Sequence, residues 1–499
     1  MDVLPETLYR AADLRTAERH AVQQLGLADG VLMERAGSAA FALLRDYFPR
    51  TRRLVVVCGP GNNGGDGFVL AQLAKQAGLE VVALSPAEAQ NRKGEAAAAH
   101  DAWCKAGGTT LPFAADHLAK GDVIVDALFG IGLERPLAGA WLAAVEAINA
   151  RGGPVFSLDV PSGLHADTGH VLGAAVRATA SVSFIGLKAG MFTGQGREYS
   201  GLILFDDLGV PSAMLDNGAP LARRITARNL HGLLAPRVRH VHKGDAGHVL
   251  VIGGQPGMLG AVQLAGTAAY RAGAGLVVIG THPSHAAAMG TARPELIVQG
   301  ISDASAIKPL LAHASVLALG PGLGQGEWAR TLWQTALAAS IPCVVDADAL
   351  NLLATQPMAR ADWVLTPHPG EAARLLGVSV AKIQADRFAA ARALAQRYGG
   401  VCVLKGSGTI ISTQDDPALW LCDRGNPGLA TGGSGDVLTG VIAALIAQGL
   451  KSLDAARLGA WVHAVAADHA ALGGERGLMA GDLLAPLRRI INDLASHVA

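Results

Sequence analysis

Leu54-Val55-Val56-Val57-Cys58-Gly59-Pro60-Gly61-Asn62-Asn63-Gly64-Gly65-Asp66-Gly67 decides the fold. It opens with a short, unbroken apolar run, which reads as a strand buried on both faces of a parallel sheet. A glycine-rich polar loop follows, and then a helical pattern from Phe68 to Gly78. Strand, glycine-rich loop, helix is the crossover unit of nucleotide-binding α/β folds, where an anion meets the free N–H groups of a helix start. The glycine spacing is not that of the dinucleotide fingerprint, because Asn62 and Asn63 occupy its middle.

Working outward, Val81–Leu84, Val123–Leu128, Val155–Val160 and Ala180–Ile185 read as further strands, and Leu8–Gly26 and Gly30–Phe48 as helices before the first strand. Two strands run into polar chemistry. One gives Asp126-Ala127-Leu128-Phe129-Gly130-Ile131-Gly132-Leu133-Glu134-Arg135-Pro136, the other Asp159-Val160-Pro161-Ser162-Gly163-Leu164. Ligands of open parallel sheets lie beyond the carboxyl ends of the strands, so Asp126, Asp159 and the Asn63 loop are expected to converge there. Asn63, Asp126 and Ser162 offer hard oxygen ligands with one negative charge, a set suited to a monovalent cation rather than Ca²⁺. The plainer reading of each Asp is a loop cap.

These motifs resemble the NAD(P)H-hydrate epimerase family (YjeF N-terminal domain). LMERAG at Leu32–Gly37, GNNGGDG, DALFGIGL and DVPSGL occur in order, and the likeness spans residues 8–212. The resemblance implies that Asn62, Asn63, Gly64, Gly65, Asp66, Gly130, Ile131, Gly132, Leu133, Glu134, Arg135, Pro136 and Asp159 line the hydrate site. It also implies that Asn63, Asp126 and Ser162 hold a potassium ion. In such a site Asp159 or Asp126 is placed to shuttle a proton.

Composition narrows the classes. At 499 residues the chain exceeds one ordinary core. A formal net charge of zero gives no field to draw in nucleic acid or a membrane. Five cysteines without paired spacing suit reduced thiols in a cytoplasm. The opening Met1-Asp2-Val3-Leu4-Pro5-Glu6 lacks the pattern of a signal peptide, and no apolar run reaches membrane-spanning length. The strand–helix rhythm lapses from Pro211 to Leu230. A domain of residues 1–215, a linker of 216–227 and a domain of 228–499 are therefore expected. His240, His242 and His248 could clip a metal, but no Cys or acidic pair has ligand spacing, so a polar loop is the default.

A second alternating series begins at His248. Its strand exits carry Gly320-Pro321-Gly322-Leu323-Gly324, Asp346-Ala347-Asp348, Thr366-Pro367-His368-Pro369-Gly370-Glu371 and Lys405-Gly406-Ser407-Gly408-Thr409. Asp346 and Asp348 read either as solvated loop carboxylates or as groups that help hold Mg²⁺. Then comes Asn426-Pro427-Gly428-Leu429-Ala430-Thr431-Gly432-Gly433-Ser434-Gly435-Asp436, leading into an apolar helix from Val437 to Leu450. A glycine-rich loop at a helix start suits a phosphate, and Asp436 beside it is placed to take a proton from a substrate hydroxyl. The alternative for Asp436 is a helix cap.

This half resembles the ADP/ATP-dependent NAD(P)H-hydrate dehydratase family, a branch of the ribokinase-like fold. GMLGA, GPGLG, TPHPGE, KGSGT and NPGLATGGSGD carry the likeness, over residues 228–495. The resemblance implies that Lys405, Gly406, Ser407, Gly408, Thr409 and Gly435 contact the adenine nucleotide, and that Ala261, Gly322, His368 and Asp436 contact the hydrate. Both halves in one chain resemble the bifunctional nicotinamide nucleotide repair proteins of bacteria. The expected architecture is α/β, with an N-terminal Rossmann-like α/β/α sandwich and a C-terminal ribokinase-like domain. The expected ligands are NAD(P)H-hydrate, ADP with Mg²⁺, and potassium, in a cytoplasmic homo-oligomer. The rivals are a plain small-molecule kinase of ribokinase type, and a first half that is a non-catalytic nucleotide-binding or scaffold module.

Overall fold

The computed structural model describes residues 4–86, 91–215 and 220–496. The first residues of the expected linker, 216–219, and the opening Met1-Asp2-Val3 lie outside the described residues. The chain forms two compact units, Met1–Arg223 and Arg224–Ala499. Among the described residues, no helix is long and apolar enough to cross a membrane.

The first unit is built on a seven-stranded parallel sheet. Its order is Thr110–Pro112, Glu80–Ser85, Arg53–Cys58, Val123–Ala127, Val155–Leu158, Ala180–Phe184 and Leu202–Asp206. Arg53–Cys58 shows why an unbroken apolar run was needed. Leu54, Val56 and Cys58 pack into the core on one face, and Val55 and Val57 into the core on the other. The chain moves from Arg53–Cys58 to one sheet edge and then returns to its other side at Val123–Ala127. That reversal opens a crevice beyond the two carboxyl ends. The crevice receives both the Asn62–Asn63 segment and the loop after Asp126.

The Gly-rich segment is not a loop throughout. The helix expected from Phe68 begins at Asn62 and runs to Gln76. Gly64 and Gly67 sit inside it because a side chain there would strike the Gly59 carbonyl or the Ala127 methyl. Close packing thus overrides the poor helix propensity of glycine. Thr110–Pro112 and Leu202–Asp206, short strands at the two edges of the sheet, were not read from the sequence.

The second unit repeats the plan. Ile297–Gly300, Leu276–Thr281, His248–Ile252, Val316–Leu319, Cys343–Val345, Trp363–Leu365 and Val401–Leu404 lie parallel in that order. Thr409–Thr413 and Leu419–Cys422 then add antiparallel strands. The apolar helix starts at Ser434, three positions before the expected Val437, and ends at Ala447. Gly433 makes this start possible with φ 91°, a left-handed turn that a side chain would strain. Val437–Ile446 is buried all round, which explains why this helix has no polar face.

Candidate active sites

A cavity of about 460 Å³ occupies the crevice of the first unit. Asn62, Asn63, Asp66, Gly130, Ile131, Gly132, Leu133 and Asp159 line it, whereas Gly64, Gly65, Glu134, Arg135 and Pro136 are not in its wall. The centre of the wall is an ion pair between Asp159 Oδ1 and Lys188 Nζ. Asp159 adopts φ 64°, uncommon for a residue with a side chain. Its N–H donates to the Val182 carbonyl at 2.8 Å, and its Oδ2 accepts the Ile131 N–H at 3.1 Å. Gly130 lets the carboxylate approach, since a Cβ there would collide with Asp159 Oδ2.

Lys188 is fully buried and also donates to the Phe184 carbonyl at 2.8 Å. Its strand, Leu187–Lys188, pairs in parallel with Thr7–Tyr9. The same end of the chain then starts the helix Ala11–Leu25, whose Ala11 N–H is held by Asp167 at 2.7 Å. Helical spacing puts Leu14, Arg15 and Glu18 on the cavity side. Glu95 completes the wall and accepts the Gly30 N–H at 2.8 Å. Four carboxylates thus share the cavity wall with one buried amine. Burial first, and then Asp159, Glu18 and Glu95, push the Asp66 pKa well above the usual carboxylate range. Glu18 is raised for the same reasons, burial leading. Asp66 is thus shifted toward its protonated form beside a carboxylate engaged by Lys188, an environment that pushes two carboxyl groups apart. Sequence reading missed Lys188, Glu18 and Glu95.

Asp126 is not in the cavity wall. It is fully buried, and its oxygens accept from Ser162 Oγ at 2.6 Å, Ser162 N at 2.9 Å, Ser157 Oγ at 2.9 Å and Leu128 N at 3.3 Å. Those bonds hold it away from the cavity wall, in which Asp159 stands. All its partners are neutral, and burial pushes its pKa up against those hydrogen bonds. Asn63, also buried, has both amide atoms without a hydrogen-bond partner. A buried anion without a countercharge and an unsatisfied amide fit a monovalent cation.

The second site collects at the strand exits of the second unit. Asp346 is buried and accepts from Lys405 Nζ at 2.7 Å and Thr439 Oγ1 at 2.8 Å. Burial opposes its charge, but Lys405 and the hydroxyl donors outweigh burial and hold its pKa below the usual range. Burial likewise favours a neutral Lys405, yet Asp346 and Glu371 keep its pKa above the ordinary value. A Cβ on Gly435 would lie 3.2 Å from Lys405 Nζ, so this cation sits at the start of the Ser434–Ala447 helix. Asp436 is in the first turn of that helix. Burial, followed by the charge of Asp346, pushes its pKa up to about 7, with Lys405 pulling the other way. A base with that pKa is matched to neutral pH.

Glu371 is also buried, and burial raises it to about 7. It accepts the His368 N–H at 2.8 Å. His368 Nδ1 accepts the Gly370 N–H at 3.0 Å, which turns Nε2 toward Glu371 Oε1 at 3.3 Å. Gly322 and Ala261 come together, as a Cβ on Gly322 would lie 3.2 Å from the Ala261 Cβ. Asp348 accepts the Gly324 N–H at 2.8 Å. Among the described residues no three His, Cys, Asp or Glu side chains are grouped to hold a metal by themselves. His242 pairs with Asp245 at 3.3 Å and His248 meets the His313 carbonyl at 2.8 Å, as loop contacts.

Three side chains that the sequence reading passed over hold the loops. Arg387, fully buried, donates to the carbonyls of Leu404, Lys405 and Gly408 and so fixes the Lys405–Thr409 turn. His463 meets the Ser434 carbonyl at 2.9 Å, and burial pushes its pKa down to about 4, so it acts as a neutral donor. Asp468 accepts from Gly425 N at 3.1 Å and Asn426 Nδ2 at 3.0 Å, anchoring the start of the glycine-rich stretch. None of these lies in a recognisable motif.

A family profile described as NAD(P)H-hydrate dehydratase matches residues 249–489, and one described as YjeF-related protein N-terminus matches residues 29–190. The chain is similar along almost its whole length to the bifunctional NAD(P)H-hydrate repair enzyme Nnr of Coxiella burnetii, with 46% identity covering 97% of this chain and 99% of that protein. The enzyme of the same name from Escherichia coli is 45% identical, over 98% of this chain and 95% of its own. Among solved structures, a ribokinase-like superfamily protein from Enterococcus faecalis has a TM-score of 0.51 and 25% identity, over 55% of this chain and 96% of that one.

Proposed function

Because the chain belongs to the family of bifunctional NAD(P)H-hydrate repair enzymes, we propose that its first unit interconverts the R and S hydrates and its second dehydrates the S form at the expense of ADP, releasing AMP and phosphate. One observation carries this assignment of tasks. Each site places a carboxylate of raised pKa, Asp66 or Asp436, beside a buried Lys–Asp pair.

In the first site Asp66 gives its proton to the C6 hydroxyl. The C6–O bond breaks as the ring nitrogen's lone pair forms the C6=N bond, and water leaves. Water then adds to the other face, and Asp159 or the emptied Asp66 takes its proton, so the net change is inversion at C6. Lys188 fixes Asp159, while Gly130, Ile131 and Asn62 shape the wall. Asn63, Asp126 and Ser162 would hold a potassium ion, which when bound supplies a fixed charge beside the substrate oxygens. Asp126 is the anchor of that ion and not a shuttle.

In the second site Asp436 takes the proton of the hydrate's hydroxyl as that oxygen attacks the terminal phosphoryl group of ADP. The amides at the Gly433–Gly435 turn and Lys405 face the transferring charge. Mg²⁺ arrives with the nucleotide. Phosphate then leaves C6, driven by the ring nitrogen's lone pair, and loss of a C5 proton restores the dihydropyridine. Ser407, Gly408 and Thr409 offer the nucleotide a turn held by Arg387. Ala261, Gly322 and His368 flank the hydrate. A cytoplasmic, homo-oligomeric protein is part of the same proposal, and the five free cysteines fit a reducing compartment.

The test uses the full chain. R-hydrate alone should give an R/S mixture, and S-hydrate with ADP and Mg²⁺ should regenerate NADH absorbance together with AMP and phosphate. Accumulation of a stable phosphate ester would make the second unit a plain kinase. Epimerisation that requires ADP would end the division of tasks. Exchange of potassium for tetramethylammonium, or Asp126→Asn, should slow epimerisation and spare dehydration. Full epimerisation by an ion-free Asp126→Asn protein would remove the cation from the scheme.

A further inference from the structure

We propose that Arg15 is the phosphate-recognition residue of the first cavity, exchanging Glu134 for the pyrophosphate of the incoming dinucleotide hydrate. This rests on the epimerase reading of that cavity. The argument is one of charge. Glu18, Asp66, Glu95 and Asp159 face the cavity, and a dinucleotide brings two further negative phosphates. Among the described lining residues only Arg15 and Lys188 are Lys or Arg. Lys188 is buried, and two of its three N–H donors go to Asp159 and the Phe184 carbonyl, so it is placed to hold Asp159 rather than to meet a phosphate at the mouth.

Arg15 is differently placed. It projects from the helix Ala11–Leu25 with a side chain 42% exposed, and its Nη2 lies 3.7 Å from Glu134 Oε1. That separation is beyond a hydrogen bond, and Glu134 is itself 74% exposed. An exposed pair of this kind holds little, so the guanidinium can leave it at small cost. Its planar fork matches two phosphate oxygens, whereas Glu134 offers only a distant point charge. Gly61 and Asn62, at the start of a fifteen-residue helix without a side-chain cap, lie on the same wall and add N–H donors for the same anion.

The experiment compares wild-type full chain with Arg15→Gln, Arg15→Lys and Glu134→Gln in epimerisation of NADH hydrate and NADPH hydrate. Arg15→Gln should raise KM for both by about tenfold or more, as loss of a charge-assisted hydrogen bond would, with kcat little changed. Arg15→Lys should recover part of that loss. Glu134→Gln should lower KM only slightly, because the competing carboxylate is gone but the exposed pair it made held little; a rise in KM as large as that of Arg15→Gln would overturn the exchange. The dependence of KM on salt should flatten in Arg15→Gln. An unaltered KM in Arg15→Gln, or a fall in kcat at constant KM, overturns the assignment. A rise confined to NADPH hydrate also overturns it, because the contact would then be to the 2′-phosphate. A wild type without epimerisation would bring down the reading of the cavity and this inference with it. A wild type that epimerises beside an unchanged Arg15→Gln brings down this inference alone.

Discussion

Both units hold a buried Lys–Asp pair near the carboxyl ends of a parallel sheet, and they use it in opposite ways. In the first unit both members touch the cavity, but Asp159, on a left-handed backbone, is the more open one, with a side chain 14% exposed against 2% for Lys188. In the second unit Asp346 is the member that stands behind, enclosed by Lys405 and Thr439, while Lys405 reaches Gly435 at the helix start. The same pair therefore presents a carboxylate in one site and an ammonium in the other. The difference follows the chemistry proposed for each. Proton exchange at C6 needs a carboxylate at the surface, and phosphoryl transfer needs a cation there. A Lys–Asp pair in a structure consequently does not identify a function until it is known which partner faces outward.

The largest expected effect tests whether Asp436, outside the second pair, is the base. Asp436→Asn keeps the size and one hydrogen bond but cannot accept a proton. Dehydration kcat should fall by about 10²–10⁴-fold, the usual contribution of base catalysis. ADP affinity by calorimetry should move little, since Lys405 and the loop amides remain, and epimerisation should stay whole. Near-normal turnover would reduce Asp436 to a first-turn charge on the helix dipole. Loss of ADP binding would move it to the nucleotide site.

Asp159→Asn comes next and addresses the outward-facing member of the first pair. Epimerisation should drop by about 10²-fold if proton exchange runs through this carboxylate, with ADP-dependent dehydration of the S hydrate retained. Removing one partner of a buried pair is expected to cost about 3–5 kcal/mol, so thermal unfolding must confirm that the assayed protein is folded. A folded Asp159→Asn protein with full epimerisation would show that Lys188 and Asp66 suffice.

Much of this layout was legible in the sequence, and what was hidden has physical reasons. Unbroken apolar runs such as Leu54–Cys58 announce parallel strands, and polar residues at their exits announce ligand positions. Helix starts were misjudged at Phe68 and Val437 because glycine there reads as a loop, while the packing of Gly64 and Gly67 can be seen only in three dimensions. Lys188 was hidden because its position depends on pairing Leu187–Lys188 with Thr7–Tyr9, about 180 residues away in sequence. Arg15 and Glu18 look like the solvated face of an amphipathic helix, and nothing in their spacing points to a cavity. Arg387 serves backbone carbonyls, and such partners leave no trace in side-chain motifs.

The smallest effect is the most discriminating, because it applies to the second pair the substitution just made in the first. In the second site Asp346 touches Lys405 and Thr439 and acts on Asp436 through charge. After burial, its negative charge is the next cause holding Asp436 up at about 7. Asp346→Asn removes that charge and at the same time frees Lys405, whose positive charge lowers the pKa of Asp436. Both changes stabilise the ionised base, so the acid limb of the dehydration kcat/KM profile should move to lower pH, by about one unit if the lost interaction is near 1.4 kcal/mol. At neutral pH the gain is at most about twofold, because a base of pKa about 7 is already half ionised there. On the acid side, each pH unit below the limb costs the wild type about tenfold in active base, and the variant should retain activity at a pH where the wild type has lost it. Full pH profiles of both proteins, with ADP saturating, provide the measurement. A collapse in kcat across the whole range, of the size expected for Asp159→Asn, would mean that Asp346 enters the chemistry directly and that the two pairs are used alike. A limb that stays in place would mean that Asp436 does not feel the pair, and that its pKa is set by burial and by the charges of Asp348 and Glu371.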